Sequence, residues 1–177
     1  FQMTRLAQSA QALALLLTDL NQDHRTDIVV GNDFFQPDLI WHQTDDGWQA
    51  ATPFLATARN TMSFDAADIN NDGQSEIFSA DMKPYADDEQ TMAAWEPLMA
   101  DMHEDPIAGD VQVMENVFQV RDSEGNFINT APGSGLDATG WTWSAKFGDL
   151  DNDGFLDLYV VNGMIAVEMF GHLPNAE

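Results

Sequence analysis

Three nine-residue stretches carry oxygen-bearing side chains at one spacing. The first is Asp19-Leu-Asn21-Gln-Asp23-His24-Arg25-Thr-Asp27, and the second is Asp68-Ile-Asn70-Asn-Asp72-Gly73-Gln74-Ser-Glu76. The third is Asp149-Leu-Asp151-Asn-Asp153-Gly154-Phe155-Leu-Asp157. Carboxylates or amides stand at positions 1, 3, 5 and 9 each time, and an apolar residue (Ile28, Ile77 or Leu158) follows at position 10. The chemistry this suits is capture of a hard cation. Calcium takes 6–8 oxygen ligands, and the backbone carbonyls at position 7, those of Arg25, Gln74 and Phe155, complete the expected set. As many as three Ca²⁺ ions are therefore expected. Glycine at position 6 permits the sharp turn, as at Gly73 and Gly154. His24 stands there in the first loop, so that site is expected to be the weakest. A helix–loop–helix calcium site needs Glu at position 12, where this chain has Val30, Ser79 and Val160. Magnesium keeps more water and fewer protein ligands, so calcium is the better match.

The flanking residues say what must hold these loops. Apolar segments precede them (Leu13 to Thr18, Met62 to Ala67, Trp141 to Phe147), and β-rich runs follow at Ile28–Val30, Ile77–Phe78 and Leu158–Val161. Each unit reads as strand, tight acidic loop, strand. Two further strands are predicted after the first loop, around the turn Asp45-Asp46-Gly47. Two more are predicted after the second, Val111 to Arg121 and Asn126 to Asn129. Four short strands per repeat predict an all-β fold of β-propeller blades. The predicted division is a last strand of a preceding blade in 1–10, with its signal in Phe1 to Thr4, then a blade in 11–53 with loop 19–27. A blade in 54–135 with loop 68–76 follows, then a partial blade in 136–177 with loop 149–157.

The loops start 49 and then 81 residues apart. The longer interval is a blade plus an insertion, 83–109. There Met92, Trp95, Met99 and Met102 fall at helical spacing behind Asp87, Asp88 and Glu89, which suit a helix N-terminus. Pro97 is expected to split the insertion into two short helices. The apolar stripe is expected to cap the propeller's own surface, with docking of a partner as the second option.

Composition narrows the partners. Thirty Asp and Glu face six Lys and Arg, for a net charge of −24. Nucleic acids and anionic lipids need basic contacts, so neither is an expected partner. No apolar run reaches the ~18 residues of a membrane span. The chain has no cysteine, which removes disulfides and thiol chemistry from consideration. A chain starting at Phe1 and ending in mid-unit is expected to be part of a longer protein or assembly. The histidines His24, His42, His103 and His172 fall in no zinc or triad spacing. Ser63, Ser79 and Ser144 lack a nucleophile-elbow context. No catalytic constellation is present, and an enzyme is not expected. Trp141 and Trp143 are expected in propeller core packing, with sugar stacking as the lesser option.

Gly140-Trp-Thr-Trp-Ser144, running into Phe147-Gly-Asp-Leu-Asp-Asn-Asp-Gly154 and on to Leu158-Tyr-Val-Val-Asn-Gly163, resembles VCBS/FG-GAP-type repeats. The resemblance is nearest to the cartilage-acidic-protein-like group, whose members often carry an ASPIC/UnbV domain. Asp65 to Asp68, Asp81-Met82 and Gly31-Asn-Asp-Phe34 fit the same group. The resemblance implies a fragment of a seven- or eight-bladed propeller, secreted, cell-surface or periplasmic, with calcium between a blade's first two strands as in integrin α-subunit heads. The ligand positions it implies are the twelve side chains above, with His24 for Gly and Glu76 for Asp as departures. The expected function is an extracellular calcium-binding module for adhesion, binding or assembly, with protein or glycan partners and the calcium structural. The alternatives are a carbohydrate-binding or polysaccharide-acting propeller domain, and a secreted partner of a redox or transport complex.

Overall fold

A computed structural model describes residues 3–99 and 110–163. The first blade is an antiparallel sheet of β1 (Ala12–Thr18), β2 (Asp27–Asn32), β3 (Leu39–Thr44) and β4 (Gly47–Ala51), in that order. Short β5 (Thr57–Ala58) leads to the second blade. That blade comprises β6 (Ser63–Ala67), β7 (Glu76–Ala80), β10 (Val117–Arg121) and β11 (Phe127–Asn129), again antiparallel and in sequence order across the sheet. Between β7 and β10 lie β8 (Met82–Lys83), helix α1 (Glu89–Met99) and β9 (Gln112–Val113). A short helix α2 (Ala131–Ser134) precedes the third unit, β12 (Gly140–Gly148) and β13 (Asp157–Asn162). The leading strands pack side by side, with β6 between β1 and β12, the radial arrangement of propeller blades.

The second blade's strands are apolar on both faces because that blade is sandwiched between the other two. Successive strand residues point to opposite faces, and β7 shows the consequence. Its Ile77 joins Val29, Ile40, Phe64 and Phe127 between the first two blades. Its neighbour Phe78 joins Ala80, Phe118 and Ala145 between the second and third. Phe78 is wholly buried, a burial that stabilises by about 1.5–3 kcal/mol. Polar contacts reinforce these seams. Asp65 accepts from Lys146 Nζ at 2.9 Å and from the Phe147 amide at 2.7 Å, and the Thr61 amide donates to the Asn32 carbonyl at 2.9 Å. The register shifts at Leu13 in β1 and at Trp143 in β12, equivalent repeat positions. A bulge re-aims the strand there.

Several expectations differ from what the structure shows. Of the strand expected in 1–10, Phe1 and Gln2 lie outside the described residues; residues 3–10 form no strand, since no described strand pairs with them and an extended chain needs a ladder for its amides. The stretch Val111 to Arg121 is two strands, with β9 pairing in parallel with β5 while only Val117–Arg121 joins the blade. Helix α1 continues through Pro97 to Met99. The rest of the insertion, with Met102, lies outside the described residues. Asp88 caps the helix, accepting from the Gln90 and Thr91 amides at 3.0 Å each. Trp95 does cap the blades, stacking on Trp141 at 5.5 Å beside buried Met82, whereas Met92 faces solvent. Trp141 is thus a packing residue, while Trp143 is half exposed.

Candidate cation-binding loops

Each acidic stretch is the hairpin connection between a blade's first two strands: β1–β2, β6–β7 and β12–β13. Their backbones are nearly copies of one another. Position 4 is left-handed in all three, at Gln22 (φ 62°), Asn71 (φ 60°) and Asn152 (φ 62°). Position 6 is left-handed as well, at His24 (φ 66°), Gly73 (φ 86°) and Gly154 (φ 90°). Side chains fold over this path in one pattern. The position-1 carboxylate accepts from the amides of positions 5 and 6: Asp19 from Asp23 and His24, Asp68 from Asp72 and Gly73, Asp149 from Asp153 and Gly154, all within 3.1 Å. Position 3, filled by Asn21, Asn70 or Asp151, accepts from the position-5 amide. Position 5, filled by Asp23, Asp72 or Asp153, accepts from the amide of Arg25, Gln74 or Phe155. The position-9 carboxylate reaches back to the amide of position 2: Asp27 to Leu20, Glu76 to Ile69, Asp157 to Leu150. Each loop thereby folds its acidic and amide side chains onto its own backbone amides.

In the third loop Asp149, Asp151 and Asp153 each offer an oxygen, and these lie within 4.8 Å of one another. That spacing and an all-oxygen donor set fit a hard cation. Asn takes position 3 in the first two loops, so each holds one fewer carboxylate.

Surroundings grade the loops further. Asp27 is fully buried and already serves three donors: Leu20 N and His42 Nδ1 bond its Oδ2, and Gln43 N bonds its Oδ1 at 2.9 Å. It ties the first loop to β3. No local motif marks the partnership of His42 with Asp27. Glu76 is buried too. Its pKa is raised, chiefly by burial, with the charges of Asp72 and Asp68 adding to the effect. Asp157 is exposed, as are Asp149, Asp151 and Asp153.

A second polar cluster sits at the other end of the strands. Asp38, almost wholly buried, accepts from the Asn32 amide at 3.0 Å and from Thr61 Oγ1 at 2.9 Å. Burial pushes its pKa to about 7. Asp81, fully buried, accepts from the Arg59, Asn60 and Met82 amides and from Asn60 Nδ2, and burial pushes it to about 6. Asp38 joins the first blade to Thr61 ahead of the second, Asp81 ties the second blade's own segments together, and neither has a part in the loops. Sequence reasoning missed both, because burial of an Asp leaves no local signature.

Radially stacked antiparallel blades with an acidic hairpin between their first two strands make this a fragment of a β-propeller. The FG-GAP-like repeat model matches residues 19–79 and 98–160, and the chain belongs to that family. No curated protein matches the chain. Repeats of this family build propellers that typically act as non-catalytic binding scaffolds, most often in extracellular proteins. Among the described residues no helix is long and apolar enough to cross a membrane.

Proposed function

We propose that the acidic hairpins hold calcium as a structural ion, and that the blades serve as an extracellular scaffold for binding, adhesion or assembly with protein or glycan partners. The observation that carries this is the common path of three loops, each gathering the oxygens of positions 1, 3 and 5 on its own amides, with three carboxylate oxygens within 4.8 Å in the third. Asp68, Asn70, Asp72 and Glu76 would hold one ion and Asp149, Asp151, Asp153 and Asp157 a second; Asp19, Asn21, Asp23 and Asp27 line the third and weakest site. The carbonyls of Arg25, Gln74 and Phe155 would complete the shells. A bound ion offsets the mutual repulsion of the clustered carboxylates and ties the first strand of each blade to the second. The narrower group with ASPIC/UnbV domains is the family branch we favour, on the third repeat's phrase Gly140 to Gly163.

Thermal unfolding in excess calcium and in chelator tests the proposal. Extracellular modules bind calcium at ~10⁻⁴–10⁻³ M. At about 10 mM calcium each site then adds roughly 1–3 kcal/mol, and two or three sites raise Tm by on the order of 10 °C. Asp153→Asn should remove part of that rise. Identical melting in both buffers would remove the calcium assignment.

A further inference from the structure

The loops share a backbone but differ in the positive charge set against them. The second and third contain no basic residue, and the sequence has no arginine after Arg121. Around the first loop the side chains are arranged differently. Its own Arg25 turns away to Asp45, at 2.8 Å. Arg121, from β10 of the next blade, turns towards it. The Arg121 guanidinium lies 4.0 Å over the Phe127 ring. Its Nη1 donates to the Gly125 carbonyl at 2.7 Å, and its Nη2 donates to the carbonyl of Leu20, the loop's second residue. The Leu20 amide in turn bonds Asp27 at 2.9 Å. Arg121 therefore grips the peptide between positions 1 and 9 of the loop. Burial alone would favour loss of its proton, and the charge of Asp19 opposes that. The two groups therefore feel each other's field.

We infer that Arg121 is the resident cation of the first loop, supplying from the neighbouring blade the positive charge that a divalent ion supplies in the other two. A fixed guanidinium beside the loop lowers the gain from a metal ion through like-charge repulsion, and it holds the loop's conformation without one. The first loop can therefore dispense with glycine at position 6, where it alone carries a side chain, that of His24. This inference rests on the calcium reading of the second and third loops and specialises the first.

Two measurements on the full chain test it. Native mass spectrometry and titration calorimetry at about 1 mM calcium should count two ions on the parent and three on Arg121→Gln. The third ion should bind at least threefold to tenfold more tightly than the parent's first loop can, the size of one partly exposed charge interaction. Arg121→Lys, which keeps the charge, should stay at two. In chelator Arg121→Gln should melt below the parent, and calcium should return the difference. Three ions of similar affinity on the parent, with no gain in Arg121→Gln, would overturn the inference while leaving the calcium reading intact. Equal melting of parent and Arg121→Gln in chelator would also overturn it. Absence of any bound ion would overturn the calcium reading and this inference with it.

Discussion

Asp38 makes the stability of this protein fall as neutral pH is approached from below. Its carboxyl titrates at about 7 when folded and at roughly 3.9 in an unfolded chain. The folded-state pKa is raised, so the folded state binds the extra proton between these values. The stabilisation is fully present below about pH 4, is lost as pH rises towards 7, and is flat above that. At about 1.4 kcal/mol per pH unit, the loss across the window is about 4 kcal/mol, a large share of the 5–15 kcal/mol typical of a domain. Asp38→Asn isolates the effect. The amide oxygen still accepts from the Asn32 amide, the new Nδ2 can donate to Thr61 Oγ1, and nothing titrates. Urea unfolding followed by tryptophan fluorescence, at fixed free calcium and at unit pH steps from 4 to 8, gives both curves. The variant should be near parental stability at pH 4, gain on the parent by about 4 kcal/mol by pH 7, and hold that lead at pH 8. Parallel curves, or a parent that grows more stable from pH 4 to 7 relative to the variant, would refute the claim that this carboxylate is held at a desolvation cost. Asp81, pushed to about 6, acts in the same direction over a narrower window.

Two backbone positions give sharper tests of packing. A Cβ added at Gly31 would stand 2.4 Å from Thr61 Cγ2 and 2.9 Å from Phe64, so Gly31→Ala should destabilise by about 1–3 kcal/mol, read as a lower urea midpoint at unchanged slope. His24 adopts φ 66° where the sister loops have glycine, and His24→Gly should relieve about 1 kcal/mol of left-handed strain, seen as a higher Tm in chelator.

Much of this architecture is written locally. The acidic stretches and the strands on either side of them are short-range signals, and they fall where spacing and alternation place them. Interactions that close the structure between blades are written nowhere in particular. Val111–Val113 has strand composition, yet it leaves the second blade for a partner at Thr57–Ala58. Arg121 reads as the end of a strand, and only the stacking of one blade on another brings it to Leu20. Asp38 and Asp81 resemble loop aspartates until Thr61 and Asn60 cover them. His42 and Asp27 are 15 residues apart and meet only because β3 pairs with β2. Pro97 shows the limit of a local rule, since the helix runs through it to Met99.

Burial in this fold is a property of neighbouring blades more than of the residue. The loops set an unambiguous alignment of the repeats, under which Leu15 corresponds to Phe64 and Ala145, and Leu17 to Ala66 and Phe147. Phe64 and Ala145 are buried because another blade lies against each. Leu15 and Leu17, in the equivalent face of the first blade, are 63% and 58% exposed. On the opposite face, Val29 and Phe78 are fully buried, while their counterpart Tyr159 in the third unit is 59% exposed. The same alternation of side chains thus gives a core in one repeat and a surface in the next. In stacked repeats stability is a sum of intrinsic and nearest-neighbour terms, so the second blade, covered on both faces, should be the last to open. Contacts that cross a seam, such as Asp65 to Lys146 and Arg121 to Leu20, then matter beyond their own strength, because each determines whether an adjacent face stays dry.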